Sequence, residues 1–165
     1  MMQAESKPKR RLKKITKETK MTPSGGRSDP YRKFNFLVEI DGIATAGFLT
    51  VEGIETLTDV IHYREGNENA ALRKLPGLHK YANITLKRGV TANRELWAWR
   101  KTVLDGQTNR KNGSIVVLDE SRQEVMRINF FNAWPCRWKV GSLDAMESEV
   151  LIEELDLVVE GLELA

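Results

Sequence analysis

Chemistry-bearing residues are scarce in this chain. Cys136 is the only thiol in 165 residues, and His62 and His79 are the only imidazoles. A single cysteine excludes an intramolecular disulfide and fits a reducing compartment during folding. With no second thiol or histidine near it in sequence, Cys136 reads as a buried, inert side chain. His62 falls beside Tyr63 in a strand pattern and His79 precedes Lys80-Tyr81, so each reads as a lone surface or interface histidine. No run approaches the roughly 18 to 20 apolar residues that span a bilayer. The basic N-terminal stretch has no apolar segment behind it, so a conventional secretory signal is not expected.

Phosphate-binding signatures are missing too. Gly42, Gly47, Gly53, Gly66, Gly77, Gly89 and Gly106 punctuate turns, and none sets the spacing of a P-loop or a dinucleotide fold. The acidic residues Glu147, Glu149, Glu153, Glu154 and Asp156 read as the solvated side of a last strand rather than as a hydrolytic carboxylate pair. The expectation is a protein that is not an enzyme, with no catalytic residue, no cofactor and no metal.

What the chain does have is charge, unevenly placed. Residues 1 to 27 carry nine of the 26 Lys and Arg against Glu5 and Glu18, a local charge of +7. That leaves 17 basic against 21 acidic residues, a local −4, in the remainder. The basic segment Lys7 to Lys20 includes Lys9, Arg10, Arg11, Lys13 and Lys14, and Thr22 to Ser28 reads as a linker. Two domains follow: an arm and linker over 1–28, and a β body over 29–165. The arm fits a solubilising tail, an arm lying on a negative protein surface, or a nucleic-acid-binding module. No aromatics interleave as stacking platforms. A nucleic-acid module would bind duplex DNA with steep salt dependence, lost on removal of residues 1 to 27.

In the body, Phe34, Phe36, Val38 and Ile40 alternate with Asn35, Leu37, Glu39 and Asp41, and Asp41-Gly42 supplies a turn. Period two followed by a turn predicts a strand entering a hairpin, returning over Ile43 to Thr50. Further strands are predicted over Glu55 to Arg64, Ile84 to Lys87, Ser114 to Leu118 and Val125 to Phe131, with a long final strand from Glu149 to Glu160. Asn93 to Leu104 predicts the one helix: Leu96, Trp97, Trp99, Val103 and Leu104 fall on an arc of about 160°. Arg100 lies within that arc, positioned to reach an acidic partner. Pro135 removes a ladder donor and belongs at an edge or bend. The expected fold is mainly β, an antiparallel sandwich or partly open barrel of about six to eight strands with one flanking helix. Phe34, Phe36, Leu96, Trp99, Trp134 and Trp138 are the expected packing residues.

Between two of these strands lies EGNENAALRKLPGLHKYANITLKRG, Glu65 to Gly89, a polar, glycine-punctuated stretch with a Pro76-Gly77 corner. Such a projecting segment presents surface to other proteins. Sheet edges and strands apolar on both faces exceed what one small core buries, which favours copies of the same chain in a closed ring.

The ordered set of FNFLVEIDG at 34–42, VEGI at 51–54, IHYREGNENAALRKLPGLHKYANITLKRGVT at 61–91, Leu96-Trp97-Ala98-Trp99, Asn132-Ala133-Trp134-Pro135 with Trp138, and the closing strand from Ser148 to Gly161 resembles the phage tail tube protein family. That family includes inner tube proteins of contractile tails and of extracellular contractile injection systems. The resemblance covers residues 31 to 162. It implies a subunit of stacked hexameric rings forming a hollow tube, with sheath and baseplate proteins as partners and DNA or protein cargo in the lumen. It further implies assembly in the cytoplasm into a virion tail or a released tail-like particle. Strands 55–64 and 148–160 would contribute to the barrel around the lumen, and 65–81 would bridge to a neighbouring subunit or ring. Arg64, Glu65, Arg73, Lys74, His79 and Lys80 are the expected intersubunit or inter-ring contacts. The basic N-terminal addition departs from a simple tube subunit and raises the alternative of a tube-initiating ring on the baseplate.

Overall fold

A computed structural model describes residues 30–67 and 71–165, with the backbone alone at 44–46. Ten strands and one helix follow in the order β1 (Phe36–Ile40), β2 (Ile43–Ala46), β3 (Thr50–Glu52), β4 (Thr56–Tyr63), β5 (Arg73–Tyr81), β6 (Ile84–Gly89), α1 (Glu95–Leu104), β7 (Lys111–Leu118), β8 (Glu124–Val140), β9 (Ile152–Val158) and β10 (Gly161–Leu164). Eight strands form one sheet in the order β2-β1-β7-β8-β9-β6-β3, with β10 added against β8, while β4 and β5 pair only with each other. Every pairing is antiparallel. The path does not close, so the mainly β, partly open architecture with a flanking helix is the one observed.

β8 joins the two halves of the sheet. Its first part pairs with β7 and β10, and from Trp134 onward it pairs with β9. Asn132 takes a left-handed φ of +53° at the changeover, and its N–H donates to Asn112 Oδ1 over 3.0 Å. Pro135 therefore sits where β8 has turned away from β7 and kept one neighbour, so its missing N–H costs no ladder bond there. The expected bend is present, inside a strand that runs on to Val140 rather than ending at Phe131.

The two halves share one core. Val38 and Ile40 of β1, Ile115 of β7 and Phe130 of β8 meet Ile84 and Leu86 of β6 and Leu155 and Leu157 of β9. Leu96 and Trp99 of α1 close it from the flank. The helix begins where Asn93 Oδ1 accepts the Glu95 N–H at 2.8 Å and stops at Asp105, followed by Gly106 at φ +81°. Arg100 departs from its expected carboxylate partner: it donates to the Pro135 carbonyl over 3.0 Å and ties α1 to the bend in β8.

Two segments differ from the sequence reading. The stretch from Arg73 to Tyr81 is the strand β5 and not part of a polar connection. The final strand is two: β9 ends at Val158, and β10 turns back onto β8 at Phe131. Residues 147–151 lie outside any ladder. The boundary expected at residues 28/29 falls outside the described residues.

Candidate assembly surface

β4 and β5 make a two-stranded sheet that no other described strand joins. The register pairs Thr56 with Tyr81, Leu57 with Lys80, Thr58 with His79 and then, after an extra residue on β5, Val60 with Pro76, Ile61 with Leu75, His62 with Lys74 and Tyr63 with Arg73. Alternation places Leu57, Ile61, Tyr63 and Leu75 on one face, together with Asp59, Arg73 and Lys80. These side chains are about half exposed, and Leu78 at the bulge reaches 75%. The other face carries Thr56, Thr58, His62, Lys74 and His79 with Val60 and Pro76. Gly77 permits the bulge to pack closely, since a Cβ there would lie 3.0 Å from the Asp59 carbonyl oxygen.

An isolated two-stranded hairpin is marginal in water. Exposed polar bonds tie its strands: Lys80 Nζ pairs with the Asp59 carboxylate at 2.7 Å, and Thr58 Oγ1 lies 2.9 Å from His79 Nδ1. Surface pairs of this kind contribute little, about 0 to 1 kcal/mol. Leu57, Ile61, Tyr63, Leu75 and Leu78 are left exposed beside these charges.

All six residues expected to contact neighbours lie on or beside this hairpin. Arg73, Lys74, His79 and Lys80 are in β5, and Arg64 and Glu65 follow β4, where Glu65 Oε1 accepts the Tyr63 hydroxyl at 3.3 Å. The exposed apolar side chains of this hairpin were missed from sequence. Leu57, Ile61 and Tyr63 share their period-two face with Asp59, and β5 is what brings Leu75 beside Ile61 there.

The expected packing residues divide. Leu96 and Trp99 are buried, and Trp99 Nε1 donates to the Asn109 carbonyl at 2.7 Å. Phe36 and Trp138 pack partly buried against the core, and Trp134 is half-buried. The Trp138 ring lies 4.7 Å from that of Trp97. Phe34 is 63% exposed and lines a groove between β1, β7 and β3. The basic residues Lys9, Arg10, Arg11, Lys13 and Lys14 lie outside the described residues.

Glu153 overturns its expected solvated setting. It faces inward beside Leu155 and Leu157 and bonds Arg88 Nε at 2.6 Å, with Trp138 Nε1 donating to its other oxygen at 2.9 Å. On the outward face Glu154 and Asp156 clasp Arg137, and Asp156 also accepts from Thr85. Arg137, held by these carboxylates and first by Asp156, has its pKa raised. Cys136 is half-buried, with its thiol donating to the Asp156 carbonyl at 3.4 Å. Burial first, then the Asp156 carboxylate, pushes that thiol's pKa up. Among the described residues no group of three or more His, Cys, Asp or Glu could hold a metal ion, and no helix is long and apolar enough to cross a membrane.

Residues 32–163 match the family model described as T4-like virus tail tube protein gp19. Among solved structures, a chain of the six-fold symmetrised anti-feeding prophage baseplate is 28% identical with a TM-score of 0.76, over 84% of this chain and 97% of that one. A chain of the sheath–tube complex of an extracellular contractile injection system, PVC, in its extended state is 28% identical with a TM-score of 0.75, over 82% and 91%. A chain of the PVC sheath/tube terminator is 27% identical with a TM-score of 0.78, over 85% and 99%. No curated protein matches the chain.

Proposed function

The chain belongs to the T4-like virus tail tube protein family, and from that membership we propose that six copies close into a ring and that rings stack as the hollow inner tube of a contractile tail or injection system. The protein is a structural, tube-forming subunit. Its work is mechanical: symmetric burial holds a rigid conduit, with no substrate turned over.

The observation that carries the proposal is the β4–β5 hairpin. It exposes Leu57, Ile61, Tyr63, Leu75 and Leu78, and among the described residues neither of its outer backbone edges has a ladder partner. A second copy supplies cover at the least cost in new sequence. In this reading Arg64, Glu65, Arg73, Lys74, His79 and Lys80 lie at contacts between subunits or rings. Strands 55–64 and the region 148–160 contribute to the wall around the lumen, and DNA or protein passes within. Six-fold symmetry is supported by the symmetrised baseplate relative. Sheath and baseplate proteins are the partners that the relatives support. The mature particle is a virion tail or a released tail-like particle assembled in the cytoplasm.

A second reading, a tube-initiating ring on the baseplate, is favoured by the basic segment ahead of residue 28 and by the baseplate likeness. Negative-stain microscopy of the purified full chain, alone and with baseplate proteins, tests both. Extended hollow tubes support the repeating subunit, and single rings bound to the baseplate support the initiator. A monodisperse monomer under all assembly conditions removes the basis of either.

A further inference from the structure

One face of the sheet carries a closed pattern of charge. β3, β6, β9 and the second part of β8 lie side by side, and each turns one face to the core. On the opposite face the register sets out two rows, Glu52, Thr85, Asp156 and Arg137 in the first and Lys87, Glu154 and Lys139 in the second. Three carboxylates and three cations interleave there, with no apolar side chain in either row. Their formal charges cancel.

The charges are also held by one another. Arg137 Nε donates to Asp156 Oδ2 over 2.6 Å, and its Nη2 donates to Glu154. Thr85 Oγ1 donates to Asp156 Oδ1 over 2.9 Å, and Lys87 Nζ meets Glu52 Oε1 at 3.2 Å. Lys139 stands opposite Glu154 in the register. Glu154 and Asp156 are recessed, at 19% and 15% exposed, whereas the Arg137 side chain that clasps them is 53% exposed.

Protein interfaces are depleted of charge at their centres, so a face of this composition is made to stay wet. With β9 in the wall of a conduit and one of its faces in the core, its other face is the lining. A wall with free cations would hold phosphates by releasing their counterions, and a wall with free carboxylates would hold basic segments. Duplex DNA carries one sign of charge, and a wall of like sign keeps it moving. Protein carries both signs, and a wall with neither in excess passes it whatever its charge.

We infer that the face from Glu52 to Lys139 lines the conduit as a charge-balanced surface, that its cargo is protein rather than nucleic acid, and that Arg137 closes the balance. This rests on the tube reading above and adds what passes and which side chains meet it.

A label on the face itself tests the inference. Asn83 is exposed, and its Nδ2 lies 3.9 Å from Cys136 Sγ, beside Arg137. Asn83→Cys with Cys136→Ser therefore places one thiol at the face and leaves all its charges. In formed tubes this thiol should react with N-ethylmaleimide and resist a maleimide carried on a polymer too wide to enter. Equal reaction with both puts the face outside and overturns the inference while the tube reading stands.

A fluorophore on the same thiol then reports what settles there. A short DNA duplex and an oligolysine peptide, each bearing a quencher, should quench it no more than a neutral peptide does. Adding Glu154→Gln and Asp156→Asn frees Arg137 and should raise duplex affinity by about tenfold at low salt, with the gain lost at high salt. Adding Arg137→Ala instead should favour oligolysine. Quenching by the duplex with all charges in place overturns the inference in favour of nucleic acid, and variants that change neither probe overturn the role of Arg137. A chain that forms neither rings nor tubes removes the tube reading and the inference with it.

Discussion

Arg88 and Glu153 face each other across β6 and β9 at the position where the two preceding inward steps hold Leu86 with Leu155 and Ile84 with Leu157. An ion pair thus continues an aliphatic ladder, with side chains only 4% and 8% exposed. Asn93 O accepts Arg88 NH2 at 3.0 Å, so the pair also anchors the segment that starts α1. Removing one member leaves a buried charge without its partner, at a cost of about 3 to 5 kcal/mol. Arg88→Met should therefore lower the urea midpoint strongly, and Arg88→Met with Glu153→Leu should recover most of the loss. Repeating the measurement at several protein concentrations separates subunit association from the stability of the fold. A double variant no more stable than the single one would contradict the account.

Ile61→Asp replaces an exposed apolar side chain of the hairpin with a second carboxylate on the face of Asp59. Because Ile61 is 52% exposed, the monomer should lose no more than about 0.5 kcal/mol. Ring yield by negative-stain microscopy should nevertheless fall steeply. Assembly of the wild-type chain should persist in high salt, since screening weakens ion pairs and leaves apolar contact intact. Rings that dissolve at about 1 M sodium chloride would point to the charged residues instead.

Gly53 fixes where the hairpin leaves the sheet. Its φ is +82°, and a Cβ there would lie 2.0 Å from the Asn83 carbonyl oxygen. Gly53→Ala must shift that backbone, at a cost of about 1 to 3 kcal/mol. Unfolding in urea reads the loss directly. A variant of unchanged stability would show that the link between β3 and β4 relaxes freely.

Much of this fold was legible because local signals and burial agreed. Period two with Asp41-Gly42 located β1 and β2, and the apolar arc from Leu96 located α1. β5 was hidden because Pro76 and Gly77 read as a corner. In the structure Pro76 belongs to an edge strand and Gly77 to a bulge, the places a sheet tolerates them. The break at Glu160 was hidden for the opposite reason: apolar residues alternate through it, and only the return of β10 onto Phe131 defines it. Glu153 could not be distinguished from Glu154 by composition, since its burial depends on Arg88, far away in sequence. The six expected contact residues cluster on one hairpin, yet its apolar side chains came to light only when β5 was seen to double back.

The raised pKa of the Cys136 thiol makes a kinetic prediction. The thiolate is the reactive form, so alkylation by iodoacetamide should lag that of a free cysteine at neutral pH. Its pH–rate curve should be displaced upward. Arg137→Ala would deepen the shift by removing a cation that favours the thiolate. A rate equal to that of a free thiol would show the site to be open and wet.

The course of β8 bears on how the subunit carries load. Its 17 residues are gripped on both flanks near Phe130 and again by β9 beyond Trp134. Antiparallel bonds run perpendicular to their strands. A pull along β8 therefore loads those bonds in shear, many at once, whereas peeling from an end would open them singly. A shaft thrust end-on meets its resistance in the stiffer of these two modes wherever such a strand follows the line of force.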